Sequence, residues 1–290
     1  MKPKDVVALL ILSALWGGSF LFIRVASLAL GPIVLMELRV LIAGLALLGY
    51  ALATRIDLEI KTYWRQYLAI GLLNSAVPFV LIGTAELNLT AGYAAILNAT
   101  APLFGAIVAA VWLKEALTPK KLIGLGLGMV GVAVVVGLNP LTLSGLIILS
   151  IAASIGAAAF YGFSSVYIKV KGKGIRPFAL ATCSLLSAAI WLLPFTPFAL
   201  PQSSPDLNAI LAVLALALLS TALAYLLFFG LIESAGPTKT LTVTFLAPIF
   251  GIIWGVIFLN EALTLGTIIG FGIILSGTAL ITGFSLKRLI

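Results

Sequence analysis

Long apolar runs, separated by short clusters of charge and turn residues, make up nearly all of the chain. Nine runs contain no Asp, Glu, Lys or Arg: 6–23, 67–85, 91–113, 122–138, 143–168, 177–200, 207–232, 240–259 and 262–286. A tenth, 33–53, is equally apolar apart from Glu37 and Arg39. Crossing the ~30 Å hydrocarbon core of a bilayer takes about 20 apolar residues in a helix. The runs are continuous and do not alternate, so they predict helices and not a barrel. Turn chemistry at Gly31-Pro32, Thr118-Pro119, Asn139-Pro140, Pro201 to Pro205 and Gly236-Pro237 separates them. The predicted fold class is an all-α integral membrane protein with ten transmembrane helices. The first run follows Lys2 and Lys4 and has the look of a secretory signal. Its pattern recurs in mid-chain, so it is read as a span.

Composition sharpens this picture. Of 290 residues, 62% are hydrophobic and only 9% are charged, against about 25% in a soluble domain. So few charges cannot clothe a water-soluble surface. An ordinary cytoplasmic enzyme, a disordered chain and a nucleic-acid-binding domain are thereby excluded. The chain has no His, the commonest metal ligand and general base. Its single Cys183 cannot form an internal disulfide. No metal and no cofactor is expected.

The net charge of +8 is read as a record of topology. With the N-terminus inside, the inner segments hold 15 of the 17 basic residues; the other two are Arg24 and Arg39. The outer loops hold Glu86, Asp206 and Glu261. Basic residues in short loops resist translocation. Both termini are therefore expected on the cytoplasmic side of an inner membrane.

An internal repeat spans the chain. Ala101-Pro102-Leu103-Phe104-Gly105 recurs 146 positions later as Ala247-Pro248-Ile249-Phe250-Gly251, and Glu115-Ala116-Leu117-Thr118 as Glu261-Ala262-Leu263-Thr264. Gly124 and Gly131 match Gly270 and Gly277. At offset 145, Trp16-Gly17, Ser19, Ile23-Arg24-Val25 and Pro32 match Tyr161-Gly162, Ser164, Ile168-Lys169-Val170 and Pro177. The expected units are residues 1–139 and 140–290, five helices each. Five is odd, so the second copy enters the membrane from the opposite side. Inverted repeats of this kind are common in secondary transporters, whose substrate sites lie near the midplane between the copies.

Ten helices in two five-helix repeats resemble the drug/metabolite transporter superfamily. Leu15-Trp16-Gly17-Gly18-Ser19-Phe20, Leu38-Arg39, and Ala101-Pro102 followed by Glu115-Ala116-Leu117-Thr118 and Gly124 are similar to motifs of its EamA-type branch. Departures are Asn260 in the place of Lys114 and Tyr161 in the place of Trp16. The resemblance implies an inner-membrane carrier, often an exporter of amino acids or other small metabolites. It implies that helices one, three, four, six, eight and nine line a central cavity. Helices five and ten would pack at the periphery or at a contact between subunits, with a homodimer as one expected assembly. The resemblance names no substrate.

Helix interruptions at matching positions of two halves point to a transport site. Pro102 and Pro248 lie mid-run, lack an amide N–H and should each free a carbonyl one turn earlier. Four residues before them stand Asn98 and Thr244. The third helix offers Asn74 and Pro78, its rough counterpart in the eighth Thr221 and Tyr225. The first helix adds Trp16, Ser19 and Phe20, the sixth Tyr161 and Ser165. A spacing of four stacks side chains on one helix face. These thirteen residues form the candidate substrate-binding set: aromatic walls with a few amides and hydroxyls. The competing reading is plain interhelical packing, in which Ser, Thr and Asn bond between membrane helices.

Charges within a membrane are costly and are candidates for function. Glu37 is expected to pair with Arg24 on the neighbouring antiparallel helix, a proton-carrying role being the weaker reading. Arg39 is expected to snorkel to the interface, the alternative being attraction of an anion. Glu86 and Glu233, at the ends of helices three and eight, are read as loop anchors or, less strongly, gating groups. The function expected is alternating-access transport of small metabolites, in the outward direction. A passive channel and a membrane-embedded enzyme are the rivals, the latter disfavoured by the lack of His and of paired mid-membrane carboxylates. No Gly-Lys phosphate loop is present, which argues against direct use of ATP.

Overall fold

The computed structural model describes residues 2–138 and 144–283, with backbone alone for Pro237 and Thr238. All regular structure among the described residues is helical. The helices are α1 (Pro3–Leu30), α2 (Pro32–Thr54), α3 (Ile60–Ala85), α4 (Ala91–Trp112), α5 (Pro119–Gly137), α6 (Gly145–Lys171), α7 (Pro177–Leu192), α8 (Leu207–Ala235), α9 (Val243–Leu259) and α10 (Leu265–Thr282). Eight are long and apolar enough to cross a membrane. The apolar helices α7 and α9 are shorter, with 16 and 17 residues. At 1.5 Å per residue they reach about 24–26 Å. The expected boundary between the two units, at 139/140, lies outside the described residues, as do Leu286, Lys287 and Arg288.

Local chemistry explains the ends. Proline stands in the first turn of α1, α2, α5 and α7, where a missing N–H costs no hydrogen bond. The hydroxyls of Thr118 and Thr264 accept the amides of Lys121 and Thr267, as N-caps do. Gly31, at φ 72°, lets the chain turn from α1 straight into α2. Three boundaries differ from the apolar runs by seven residues or more, one of them the start of α3, at Ile60 and not Tyr67. Helix α1 continues past Arg24 to Leu30, because Arg24 donates to the backbone carbonyl of Glu86 and need not reach water. Helix α7 stops at Leu192 because Pro194 and Pro197 follow.

Interruptions occur in three helices and just before a fourth. Helix α3 contains a π-helical turn at Leu72–Ala76, and α8 a longer one at Ala215–Leu223. Helix α4 breaks at Ala99 and Thr100, with Pro102 in the first turn of its second piece. Before α9, the short turn Pro237–Thr240 is followed by Leu241 and Thr242. Pro248, expected at an interruption, instead lies inside continuous α9. The chain absorbs its break six residues earlier.

The two halves interlock. Helix α1 packs along α9 and α8, while α6 packs along α4 and α3. Helix α2 lies against α7, α4 crosses α9, and α5 pairs with α10. Exchanging each helix with the one five places on maps this set of contacts onto itself. Close approach of α5 and α10 uses Gly124, Gly131, Gly270 and Gly277, which meet backbone to backbone within one chain. Those glycine faces therefore need no second copy to cover them. Outward flanks carry exposed Leu52, Val111, Met129 and Leu265, an apolar exterior matched to lipid.

Candidate functional site

A cavity of about 890 Å³ lies where the halves meet. Trp16, Ser19 and Phe20 line it from α1, Tyr161 and Ser165 from α6. Asn74 lines it from α3, Thr221 and Tyr225 from α8. Asn98 and Pro102 line it from α4, Thr244 and Pro248 from α9. The structure thus brings together twelve of the thirteen candidates. Helices α2 and α7, which the resemblance did not assign to the wall, contribute Arg39 and Ser184.

Pro78 is the exception: it is buried but does not line the cavity. The π-helical turn at Leu72–Ala76 inserts an extra residue, which shifts every later face by about 100°. A spacing of four therefore no longer holds Asn74 and Pro78 on one side. Phe79 takes the place instead. The repeat itself carries the signal that finds it: offset 146 aligns Phe79 with Tyr225 and Asn74 with Ser220. Both Phe79 and Ser220 line the cavity.

The aromatic walls follow the same exchange. Trp16 meets Tyr225 edge-on at 6.4 Å between centroids, and Tyr161 meets Phe79 at 6.5 Å. Tyr225 also stacks on Phe229 at 5.9 Å. Polar groups are set between these rings. Asn74 Oδ1 accepts a hydrogen bond from Ser164, and Asn98 Oδ1 has no partner among the described residues.

Arg39 is 7% exposed and does not snorkel to an interface. Its guanidinium carbon lies 3.8 Å from the centre of the Phe79 ring, a cation–π contact. Its Nε donates to Thr221 Oγ1 at 3.1 Å, and Thr221 donates onward to the carbonyl of Leu216 at 2.8 Å. The expected Glu37–Arg24 pair does not form: Arg24 is committed to the carbonyl of Glu86, and Glu37 Oε2 is buried without a partner among the described residues. Replacing Glu37 with Met is expected to leave thermal stability in detergent unchanged or slightly raised, since no partner is orphaned. A fall of several degrees would show that Glu37 holds an unseen contact.

Glu86 and Glu233 are not equivalent. Glu86 is fully buried with neither carboxylate oxygen bonded among the described residues, whereas Glu233 is exposed. Neither lines the cavity.

The ends of α4 and α9 are matching turns. Lys114 and Asn260 adopt φ 55° and 54°. The amides of Glu115 and Glu261 return to the carbonyls of Ala109 and Gly255 at 3.3 and 3.1 Å. Their carboxylates then part company. Glu261 reaches the start of α4 and accepts the amides of Ala91 at 2.6 Å and Gly92 at 3.0 Å. A carboxylate there satisfies free donors and complements the helix dipole. Glu115 instead pairs with Lys169 at 2.8 Å and Lys121 at 3.3 Å. Lys169, then Lys121, holds the Glu115 carboxyl below the usual carboxylate range.

The mouth of the cavity lies at the basic end. Gly172, Pro177, Lys239 and Gly283, near helix ends on that side, line it. The Glu261 clasp lies at the opposite, acidic end.

Comparison with known proteins completes the site. The EamA-like transporter family matches residues 4–137 and 147–283. An uncharacterized transporter of Archaeoglobus fulgidus is 28% identical over 280 residues, covering 96% of this chain and 97% of its own. A probable amino-acid metabolite efflux pump of Salmonella typhimurium is 26% identical over 309 residues, covering 99% and 98%. One crystal structure, at 18% identity, superposes with a TM-score of 0.68 over 100% of this chain and 99% of the other, a likeness of fold.

Proposed function

The chain belongs to the EamA-like transporter family, and from that premise we propose that it moves small organic metabolites by alternating access. It is a multi-pass membrane protein. In the proposed topology ten spans form two inverted halves, 1–139 and 140–290, in the inner membrane with both termini cytoplasmic. The basic residues at one end support that orientation. Amino acids or related compounds are the proposed cargo and export the proposed direction, in line with the efflux pumps among the relatives.

The observation that carries this reading is the asymmetry of matching parts. Two equivalent turns end α4 and α9, yet among the described residues only Glu261 clasps the start of a helix, and the cavity is lined by helix ends at the basic side. In the proposed cycle, this is the state open to the cytoplasm, and exchange of the two clasps gives the outward state. Two near-equivalent halves make the two states similar in free energy.

The test is flux in reconstituted vesicles, with amino acids first, across an imposed pH gradient. Saturable, competitor-sensitive flux is expected; a non-saturating flux would make the protein a channel. Trp16→Ala and Asn98→Ala are each expected to cut flux about tenfold, the equivalent of ~1.4 kcal/mol, with the yield of folded protein unchanged. Unaltered flux in both variants would remove these residues from the site.

A further inference from the structure

We propose that Arg39 is the anchor for a carboxylate, and that the cavity selects organic monoanions with an aromatic or apolar body over zwitterions and cations. This rests on the carrier reading and narrows its substrate class away from free amino acids.

The first argument is charge balance. Among the described residues, the charged groups lining the cavity are Arg39, deep in the wall, and Lys239, near the mouth; no Asp or Glu lines it. The buried carboxyls of Glu37 and Glu86 form no ion pair with Arg39. Glu86 acts on Arg39 electrostatically but not in contact, and a deep cation without a paired counter-ion is costly in a membrane. A bound anion supplies the missing charge, whereas an ammonium group would add a second uncompensated one.

The second argument is preorganisation. The Phe79 ring below and Thr221 beside it hold the guanidinium in one orientation. Thr221 gives its proton to the Leu216 carbonyl, so its oxygen is left to accept from Arg39 Nε. Among the described residues the terminal nitrogens of Arg39 have no hydrogen-bond partner, and these present the paired N–H groups that fit a carboxylate. Ser220 supplies an independent sign of a ligand. It lines the same cavity, is 1% exposed, and its hydroxyl has no partner among the described residues. It precedes Thr221 in the π-helical segment of α8, and both residues line the cavity with Arg39. The rings of Trp16, Tyr161 and Tyr225 then offer an apolar wall to the body of the ligand.

Three probes share a phenyl body and differ only in charge: 3-phenylpropanoate, L-phenylalanine and 2-phenylethylamine. Binding is read on the purified full chain by ligand-induced thermal stabilisation, and flux separately in vesicles. Stabilisation is expected in the order 3-phenylpropanoate, then L-phenylalanine, with none from 2-phenylethylamine. Arg39→Gln is expected to weaken 3-phenylpropanoate at least about tenfold. Arg39→Lys, which keeps the charge but loses the paired N–H groups, should weaken it less, and Ser220→Ala should weaken it measurably. The two milder variants keep the test decisive should Arg39→Gln fail to fold. No stabilisation by 3-phenylpropanoate in the parent, or preference for L-phenylalanine, overturns the inference. So does equal binding in the Arg39→Lys and Ser220→Ala variants. Binding of the carboxylate without saturable flux would sink the carrier reading and leave the anion site standing.

Discussion

Glu261→Gln should release the acidic end of the bundle. The carboxylate accepts two amides at the start of α4, at 2.6 and 3.0 Å, and lies on the positive end of that helix. Glutamine has one accepting oxygen and no charge, so at least one donor is orphaned and the dipole interaction is lost. Charge-assisted hydrogen bonds contribute about 1.5–3 kcal/mol. Their loss shifts a two-state equilibrium by about ten- to a hundredfold. The shift is readable as a distance between spin labels on Asn88 and Ala262, both exposed at that end, in a background with Cys183 replaced. The parent should give one short distance, the variant a second, longer population. Glu115→Gln is the matched control: that carboxylate serves Lys169 and Lys121 at the other end, so the distance between the labels should not change. An unchanged distance in Glu261→Gln would remove the clasp from the closing of this end. The facing helix for Glu115 begins at Pro237, which has no amide hydrogen to donate. In the proposed cycle the opposite clasp is therefore the weaker one, and the state open at the basic end is expected to be the preferred one.

Gly17→Ala and Gly162→Ala are expected to reduce stability sharply. These residues are partners in the repeat, and each sits where two helices cross: α1 on α9, and α6 on α4. A Cβ on Gly17 would stand 2.5 Å from the carbonyl oxygen of Ala247 and 2.7 Å from the amide of Gly251. A Cβ on Gly162 would stand 2.5 Å from the amide of Gly105. Backbone cannot swing aside as a flexible side chain does, so the helices must separate. Overpacking of this kind costs about 1–3 kcal/mol, and here each crossing joins one half to the other. A melting temperature lower by several degrees, measured on detergent-solubilised protein, is the expected outcome. Gly49→Ala and Gly126→Ala, where a Cβ meets nothing within 4 Å, should be neutral or stabilising, because alanine favours the helix by about 0.5–1 kcal/mol. Equal melting of all four variants would show that the crossings are looser than drawn.

The apolar runs located the helices well, since a membrane span is a local property of about 20 consecutive residues. They were less good at the ends, where Arg24 is carried inside α1 by a carbonyl more than sixty residues away. The cavity was legible to the extent that the helices were ideal. Trp16, Asn98 and Thr244, picked out by the matched prolines, the repeat and a spacing of four, line it. Pro78 could not, because the π-helical turn before it rotates the face, and such a turn has no sequence mark as plain as a proline. The repeat offset was the better guide there, pointing to Phe79 through Tyr225.

Hydropathy, the distribution of basic residues and the duplicated motifs are written in the order of the residues. They specify helices, a membrane setting and two related halves without reference to any contact. The fate of individual charges is of another kind. Arg39 lies in the wall of the cavity because Phe79 and Thr221, from α3 and α8, meet it there. Glu261 and Glu115 share one motif but have different partners, the amides of Ala91 and Gly92 for the one and Lys169 and Lys121 for the other. Only the packing of distant helices selects between them, since both partners of such a contact must arrive before either is held.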